Sequence, residues 1–278
     1  MDINGILACP ICGNSLLQEG KSLYCETGHC YDLSGKGYVN LMPPSGHGGH
    51  GDDKLMVRAR TEFLNKGYYD PLSEEIAALA AKMTPDGGLL VDAGCGEGKY
   101  SADVLNAIKS EGKQVKLLGV DISRDALIQA AKRSREFCLC VASTARIPVK
   151  SGSADTLLNI FSPWMEREFA RVLKTGGTLI RVIPLERHLW ELKEAVYDRP
   201  YENDLPDPNA EGFEGPEKKD ICYRVELKSS EEIQNLFRMT PYYYKSSEKD
   251  QKKLEKLQSL QLSLEFRILL YRRNSENI

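Results

Sequence analysis

Long apolar runs are missing from this 278-residue chain: none reaches the ~20 residues that a membrane-spanning helix needs. A secretory leader is not expected either, because Met1-Asp2-Ile3-Asn4-Gly5 lacks a basic start and an apolar core. Excess positive charge is lacking too. At a formal net charge of −3, a wholly basic nucleic-acid coat is excluded, and any RNA contact is confined to a local patch. No internal repeat is found. What remains is an ordinary globular balance, 41% hydrophobic and 28% charged. A chain of this length buries one good core and has room for a small satellite domain.

Eight cysteines would suit a disulfide scaffold, but their distribution does not. Cys9-Pro10-Ile11-Cys12 is followed after twelve residues by Cys25, and then by His29 and Cys30. The pattern C-x2-C-x12-C-x3-H has the donor types and spacing of a tetrahedral Zn²⁺ site, with turns around Gly13-Asn14 and Thr27-Gly28 joining its halves. Four protein ligands close the shell, so such a site is structural and not catalytic. The metal would supply much of the folding free energy of so small a segment. His29 and Cys30 compete for the fourth position, and strand alternation points neighbours apart, so only one can ligate. Cys95, Cys138, Cys140 and Cys222 lie in apolar or motif contexts, a usage that fits a reducing cytoplasm. Two disulfides in place of the metal would require an oxidising compartment.

The chemistry concentrates around residues 89–100. An apolar run, Leu89-Leu90-Val91, stops in Asp92-Ala93-Gly94-Cys95-Gly96-Glu97-Gly98, and Gly119-Val120-Asp121-Ile122-Ser123 follows after a helix and a strand length. The glycines let the backbone turn sharply and approach a ligand, and the turn opens a helix whose first N–H groups face it. Asp121, at the tip of the next strand, is placed to accept from two ribose hydroxyls. The G-x-G-x-G spacing is one residue shorter than the dinucleotide fingerprint. Asp92 precedes the first glycine and Glu97 lies inside the turn, with no basic residue among its glycines, which repels a pyrophosphate and favours a cationic sulfonium with an α-amino group. The segment Val91–Gly98 resembles the first motif of the S-adenosylmethionine-dependent methyltransferases.

Taken in order, residues 1–42 form a zinc-ribbon module, for which the family resemblance given below implies RNA recognition, and residues 43–53 read as a linker. His47 and His50, in that glycine-rich stretch, are read as solvated. Residues 54–278 form the methyltransferase domain. Helices are expected at Lys54–Lys66, from Pro71 towards Met83, and at Lys99–Ser110, Asp125–Arg135 and Glu166–Leu173. Strands are expected at Leu89–Asp92, Lys116–Asp121, Phe137–Ala142, Ala154–Phe161 and Thr178–Pro184. The alternation specifies a doubly wound sheet of the class I Rossmann-like kind, seven-stranded, with Ile221–Leu227 and an antiparallel Leu262–Tyr271 completing it. Asp198–Lys219 reads as a long polar excursion, of the length typical of lids, binding loops or tethers. Ser229 and Glu232 have capping-box spacing at a further helix.

The order of zinc knuckle, Gly37-Tyr38-Val39-Asn40-Leu41, Arg60-x-x-Phe63-Leu64-x-x-Gly67-x-Tyr69-x-Pro71-Leu72, the glycine turn and Arg187-His188-Leu189-x-Glu191-Leu192-Lys193 resembles the bacterial 23S ribosomal RNA guanine-N1 methyltransferases. That resemblance spans Cys9 to the last strand. It implies an S-adenosylmethionine-dependent enzyme that methylates N1 of a guanine in a hairpin loop of domain II of 23S ribosomal RNA. It further implies a cytoplasmic homodimer with paired zinc domains flanking an RNA cleft. It implies one structural Zn²⁺ per chain, on Cys9, Cys12, Cys25 and His29. Cofactor contacts are implied at Tyr69, Gly96, Glu97 and His188, beside the motif residues Asp92, Gly94, Gly98 and Asp121.

Methyl transfer from a sulfonium is an in-line displacement, so the protein's main task is positioning. Guanine N1 must also lose its proton to a base or a water path. No carboxylate identifies itself as that base: Glu166 and Glu168 favour a helix start in any case. A looped-out guanine is held by its Watson–Crick edge and by stacking, for which Phe161 and Trp164, after the fourth strand, are candidates. Arg58, Arg60, Lys66 and Lys245–Lys256 are candidate phosphate contacts, with a solvated helix face as the default reading. Two other classes are compatible with these residues. One is a small-molecule methyltransferase with a structural zinc module. The other is a non-catalytic RNA-binding protein on a methyltransferase fold.

Overall fold

The computed structural model describes residues 5–43 and 51–275; His47 and His50 lie outside them. The N-terminal segment folds β1 (Leu17–Glu19), β2 (Ser22–Tyr24) and β3 (Cys30–Asp32) into a small antiparallel sheet, followed by β4 (Val39–Asn40). Helices α1 (Lys54–Leu64) and α2 (Asp70–Met83) lead into β5 (Gly88–Ala93), α3 (Lys99–Ser110), β6 (Val115–Asp121), α4 (Arg124–Arg133) and β7 (Cys138–Val141). The chain continues through β8 (Ala154–Ile160), α5 (Glu166–Val172), β9 (Leu173–Pro184) and α6 (Trp190–Val196). It ends with β10 (Phe213–Leu227), α7 (Ser230–Arg238), α8 (Tyr242–Lys245), α9 (Glu248–Leu254) and β11 (Leu260–Arg273).

The large sheet has the order β10-β11-β9-β8-β5-β6-β7-β4. Strands β5 to β9 run parallel, and β11 is antiparallel to both β9 and β10. Residues of β5 alternate between two cores: Leu90 packs with Phe63, Ile76 and Val104, and Val91 with Leu118, Phe169 and Leu179. Burial on both faces is why its sequence is continuously apolar and not alternating. The start of α7 is capped by its own side chains. Ser229 accepts from the Glu232 N–H at 3.2 Å while Glu232 accepts from the Lys228 N–H at 2.8 Å.

Two expectations change. The expected seven-stranded doubly wound sheet gains an eighth strand, because β4 pairs in parallel with the edge strand β7. The Leu41 N–H donates to the Val141 carbonyl at 2.9 Å, so the segment leaving the ribbon covers an edge that would otherwise expose unpaired backbone. The same contact brings Ile6, Leu7, Leu16 and Leu23 of the ribbon into the second core. The excursion expected over Asp198–Lys219 is shorter, since Phe213–Lys219 already belongs to β10. As an edge strand half open to solvent, β10 tolerates Glu214, Glu217 and Lys218, and those charges hid it. No helix among the described residues is long and apolar enough to cross a membrane.

Candidate active site and metal centre

The chain leaves β5 towards β6 and β7 and then crosses back to β8, so strand order reverses between β5 and β8. Ligands of open parallel sheets bind beyond the carboxyl ends of strands at such a switch point. The glycine turn sits there. Gly94, Gly96 and Gly98 have φ of +89°, +55° and +79°, a left-handed region that disfavours side chains. A Cβ on Gly94 would stand 2.4 Å from Ser162 Cβ, and one on Gly98 would stand 2.9 Å from Ala130 Cβ. At Gly96 the nearest atom is Arg60 Nη1 at 3.8 Å, so this face of the turn is open to a ligand.

Asp121 is fixed beside it. One carboxylate oxygen accepts from the Gly96 N–H at 2.9 Å and the other from the Ser123 N–H at 2.8 Å. Burial pushes its pKa up, and those two amides oppose the shift. Asp92 is buried under the turn and accepts from Ser101 Oγ at 2.5 Å. Burial, reinforced by the charges of Asp121 and Glu97, pushes it up to about 7. The carboxylate of Glu97 is directed elsewhere. It is buried against Arg133, 3.1 Å away, whose Nε also donates to the Glu97 carbonyl at 2.9 Å. Burial raises the Glu97 pKa while Arg133 opposes the shift. Glu97 thus ties the turn to α4.

Tyr69 and His188, 119 positions apart in sequence, meet in the folded chain with Tyr69 Oη 3.4 Å from His188 Nε2. His188 Nδ1 accepts from the Glu265 N–H at 3.1 Å, which places the imidazole proton on Nε2, facing the phenol oxygen. The Tyr69 hydroxyl hydrogen is then free for another acceptor. Burial, with the nearby charge of Lys193, lowers the His188 pKa to about 3, so the ring is neutral. The rings of Tyr69, His188, Tyr223 and Phe161 surround Phe266, and Tyr100 joins at Phe161.

The structure separates the two stacking candidates. Phe161 is 44% exposed at the end of β8. Trp164 is packed under the Arg181 guanidinium, 4.1 Å from its ring centroid, and against Phe169 and Tyr271. Among the candidate phosphate contacts, Arg60 turns inward to pair with Asp52 at the cleft. Arg58 and Lys66 pair with Glu62 and Glu232, and Lys253 with Asp198 and Asp250. Arg133, Asn159 and Ser162, which shape the turn, carry no local sequence signal. Arg133 and Ser162 act on Glu97 and Ala93, which only the fold brings near, while Asn159 acts on the adjoining Ser162 and Pro163.

In the ribbon, one ligand atom each from Cys9, Cys12, Cys25 and His29 lies within 4.8 Å of the others, a donor set positioned for one metal ion. Cys30 lies exposed on β3. Thr27 Oγ1 lies 3.1 Å from each of Cys12 Sγ, Cys25 Sγ and His29 Nδ1, a second layer around the donors. Burial works against a thiolate at Cys25, yet hydrogen bonds from Thr27 and the His29 backbone bring it down to about 6. None of the eight cysteines is in a disulfide.

Residues 7–46 match the zinc-ribbon family described as RlmA, N-terminal, and residues 90–177 match a methyltransferase domain. The chain is 31% identical over 271 residues to YxjB of Bacillus subtilis, a protein named provisionally as a 23S rRNA (guanine-N(1)-)-methyltransferase. That match covers 94% of this chain and 95% of the relative. It is 36% identical over 195 residues to the 23S rRNA (guanine(748)-N(1))-methyltransferase of Streptomyces fradiae, covering 68% of this chain and 67% of that protein. With a four-donor ribbon and a glycine turn on a doubly wound sheet, the chain belongs to the 23S rRNA (guanine-N1)-methyltransferase family.

Proposed function

We propose that this chain transfers a methyl group from S-adenosylmethionine to N1 of a guanine in a hairpin loop of domain II of 23S ribosomal RNA. It would act as a homodimer in the cytoplasm. The observation that carries the reading is the open face of Gly96 beside the pinned Asp121 carboxylate, in a chain whose relatives are named for guanine-N1 methylation of 23S rRNA. A cradle that a single Cβ would fill, next to an acceptor pair for a ribose diol, fits this cofactor.

In this reading residues 1–42 recognise RNA, residues 43–53 link, and residues 54–278 hold the cofactor and perform transfer. Gly94, Gly96 and Gly98 shape the approach, and Asp121 accepts from the ribose hydroxyls. Asp92 and the main chain of Glu97 would help to hold the methionyl amino group. Tyr69, oriented by His188, closes the far end. When bound, the cofactor supplies a methyl group already activated on sulfur. The protein's contribution is to align that methyl with the guanine nitrogen and to keep water out, with the surrounding aromatic rings as the dry wall. Cys9, Cys12, Cys25 and His29 would hold Zn²⁺, which would stabilise the ribbon's fold and not the transfer.

The test is incorporation of a labelled methyl group from S-adenosylmethionine into 23S RNA lacking the modification, followed by mapping of reverse-transcription stops. N1-methylguanine blocks Watson–Crick pairing, so a single stop in the domain II hairpin loop is expected. Intact cofactor binding with no incorporation into RNA would refute the reading and point to a small-molecule acceptor.

A further inference from the structure

We propose that Phe161 is the platform on which the target base stacks, and that Asn159 is the residue that holds it there. The proposal rests on the RNA-methylation reading above and names the part of the site that meets an unstacked purine of single-stranded RNA.

The first observation is conformational. Phe161 has φ of +52°, and it is one of two non-glycine residues with positive φ among the described residues. An L-residue pays about 1–2 kcal/mol for that region, and such strain persists only where the surroundings impose it. Here Asn159, 1% exposed, imposes it. Its Nδ2 donates to the carbonyls of Ser162 at 3.3 Å and Pro163 at 3.2 Å. Ser162 Oγ in turn donates to the Ala93 carbonyl at 2.5 Å, joining the tip of β8 to the glycine turn. The tip therefore cannot relax without disturbing the cofactor side of the cleft.

The second observation is how the ring is presented. Its inner side rests on Phe266, with ring centroids 5.6 Å apart, and on Tyr100 and Tyr69 at 6.3 and 6.5 Å. The residue is nevertheless 44% exposed. A ring backed by aromatics and still exposed does not fill a core, but it does offer a π-face to a splayed base. Sheet order decides which base. Asp121, at the ribose position, stands on β6, whereas Phe161 follows β8 on the opposite side of β5. With Asp121 holding the ribose, the nucleoside would lie towards β6, which would leave this ring to the acceptor. Trp164, the neighbouring aromatic, is half-buried, with Arg181 over its ring and Tyr271 packed against it.

The test is a double-mutant cycle. Wild type, Phe161→Ala and Phe161→Tyr are titrated with a hairpin RNA carrying the mapped guanine and with the same hairpin abasic at that position. Methyl transfer and S-adenosylhomocysteine affinity are measured alongside. Phe161→Ala is expected to weaken the intact hairpin and kcat/KM by about 5- to 150-fold, the range of one base–aromatic stack, with Phe161→Tyr restoring most of it. On the abasic hairpin Phe161→Ala should bind like wild type, because its partner is already gone. Equal losses on both hairpins would overturn the proposal, as would a fall in S-adenosylhomocysteine affinity that accounts for the whole effect. A wild-type chain that methylates no RNA at all refutes the broader reading, and this proposal falls with it. Active wild type with an indistinguishable Phe161→Ala refutes this proposal alone.

Discussion

Alanine at Gly94 and at Gly96 should damage the protein in different ways, although the two positions are separated by one residue. Both substitutions force a side chain into the left-handed region, which costs about 1–2 kcal/mol. At Gly94 the new Cβ would also stand 2.4 Å from Ser162 Cβ and 2.9 Å from Ser162 Oγ. Ser162 cannot step aside freely, since its hydroxyl is bonded to the Ala93 carbonyl. Overpacking of this kind adds about 1–3 kcal/mol, so Gly94→Ala should lose about 2–5 kcal/mol of folding stability. At Gly96 no protein atom lies closer than 3.8 Å, and only the conformational cost applies. The methyl group instead occupies the face that the cofactor approaches, and S-adenosylhomocysteine affinity should fall about 10- to 100-fold. Urea denaturation read at constant m-value measures the first effect, and calorimetric titration of the cofactor measures the second. Wild-type cofactor affinity in Gly96→Ala, or equal stability of the two variants, would refute the reasoning.

Asp92 has a folded pKa of about 7, raised from 3.8, so the folded chain holds this proton more tightly than the unfolded one and its stability falls as pH rises between those values. Asp92→Asn should therefore be more stable than wild type at pH 8, by up to about 4 kcal/mol, with the difference closing towards pH 4 and cofactor affinity reduced. Thermal denaturation across that range checks the sign. Arg133→Ala leaves the Glu97 carboxylate buried without its cation and should cost about 3–5 kcal/mol, whereas the double variant with Glu97→Gln should recover part of the loss in a denaturant titration. Chelation of the metal should open the ribbon to proteases within residues 5–43, because its few buried side chains cannot hold it alone. Limited proteolysis with metal analysis reads this, and an unchanged digestion pattern after complete metal loss would contradict it.

The local elements were legible in the sequence because their causes are local. The limits of α3, Lys99–Ser110, follow from a glycine at its start and an apolar stripe along one face. The cysteine and histidine spacing announced four donors, and they converge. The core strands β5, β6 and β8 read as apolar runs because both of their faces are buried. Tertiary structure decided what depends on partners distant in sequence. It placed Val39–Asn40 as an eighth strand on β7, although two residues have no periodicity to detect. It extended β10 back to Phe213 through charges that only an edge strand tolerates. It turned the Glu97 carboxylate to Arg133, 36 residues on, and set His188 against Tyr69. It packed Trp164, half-buried, under Arg181 and left Phe161 exposed, two aromatics that a linear chain cannot rank. Spacing and periodicity therefore determined the motifs and most of the strands, while side-chain direction at the cleft was set by packing between elements that are neighbours only in the folded chain.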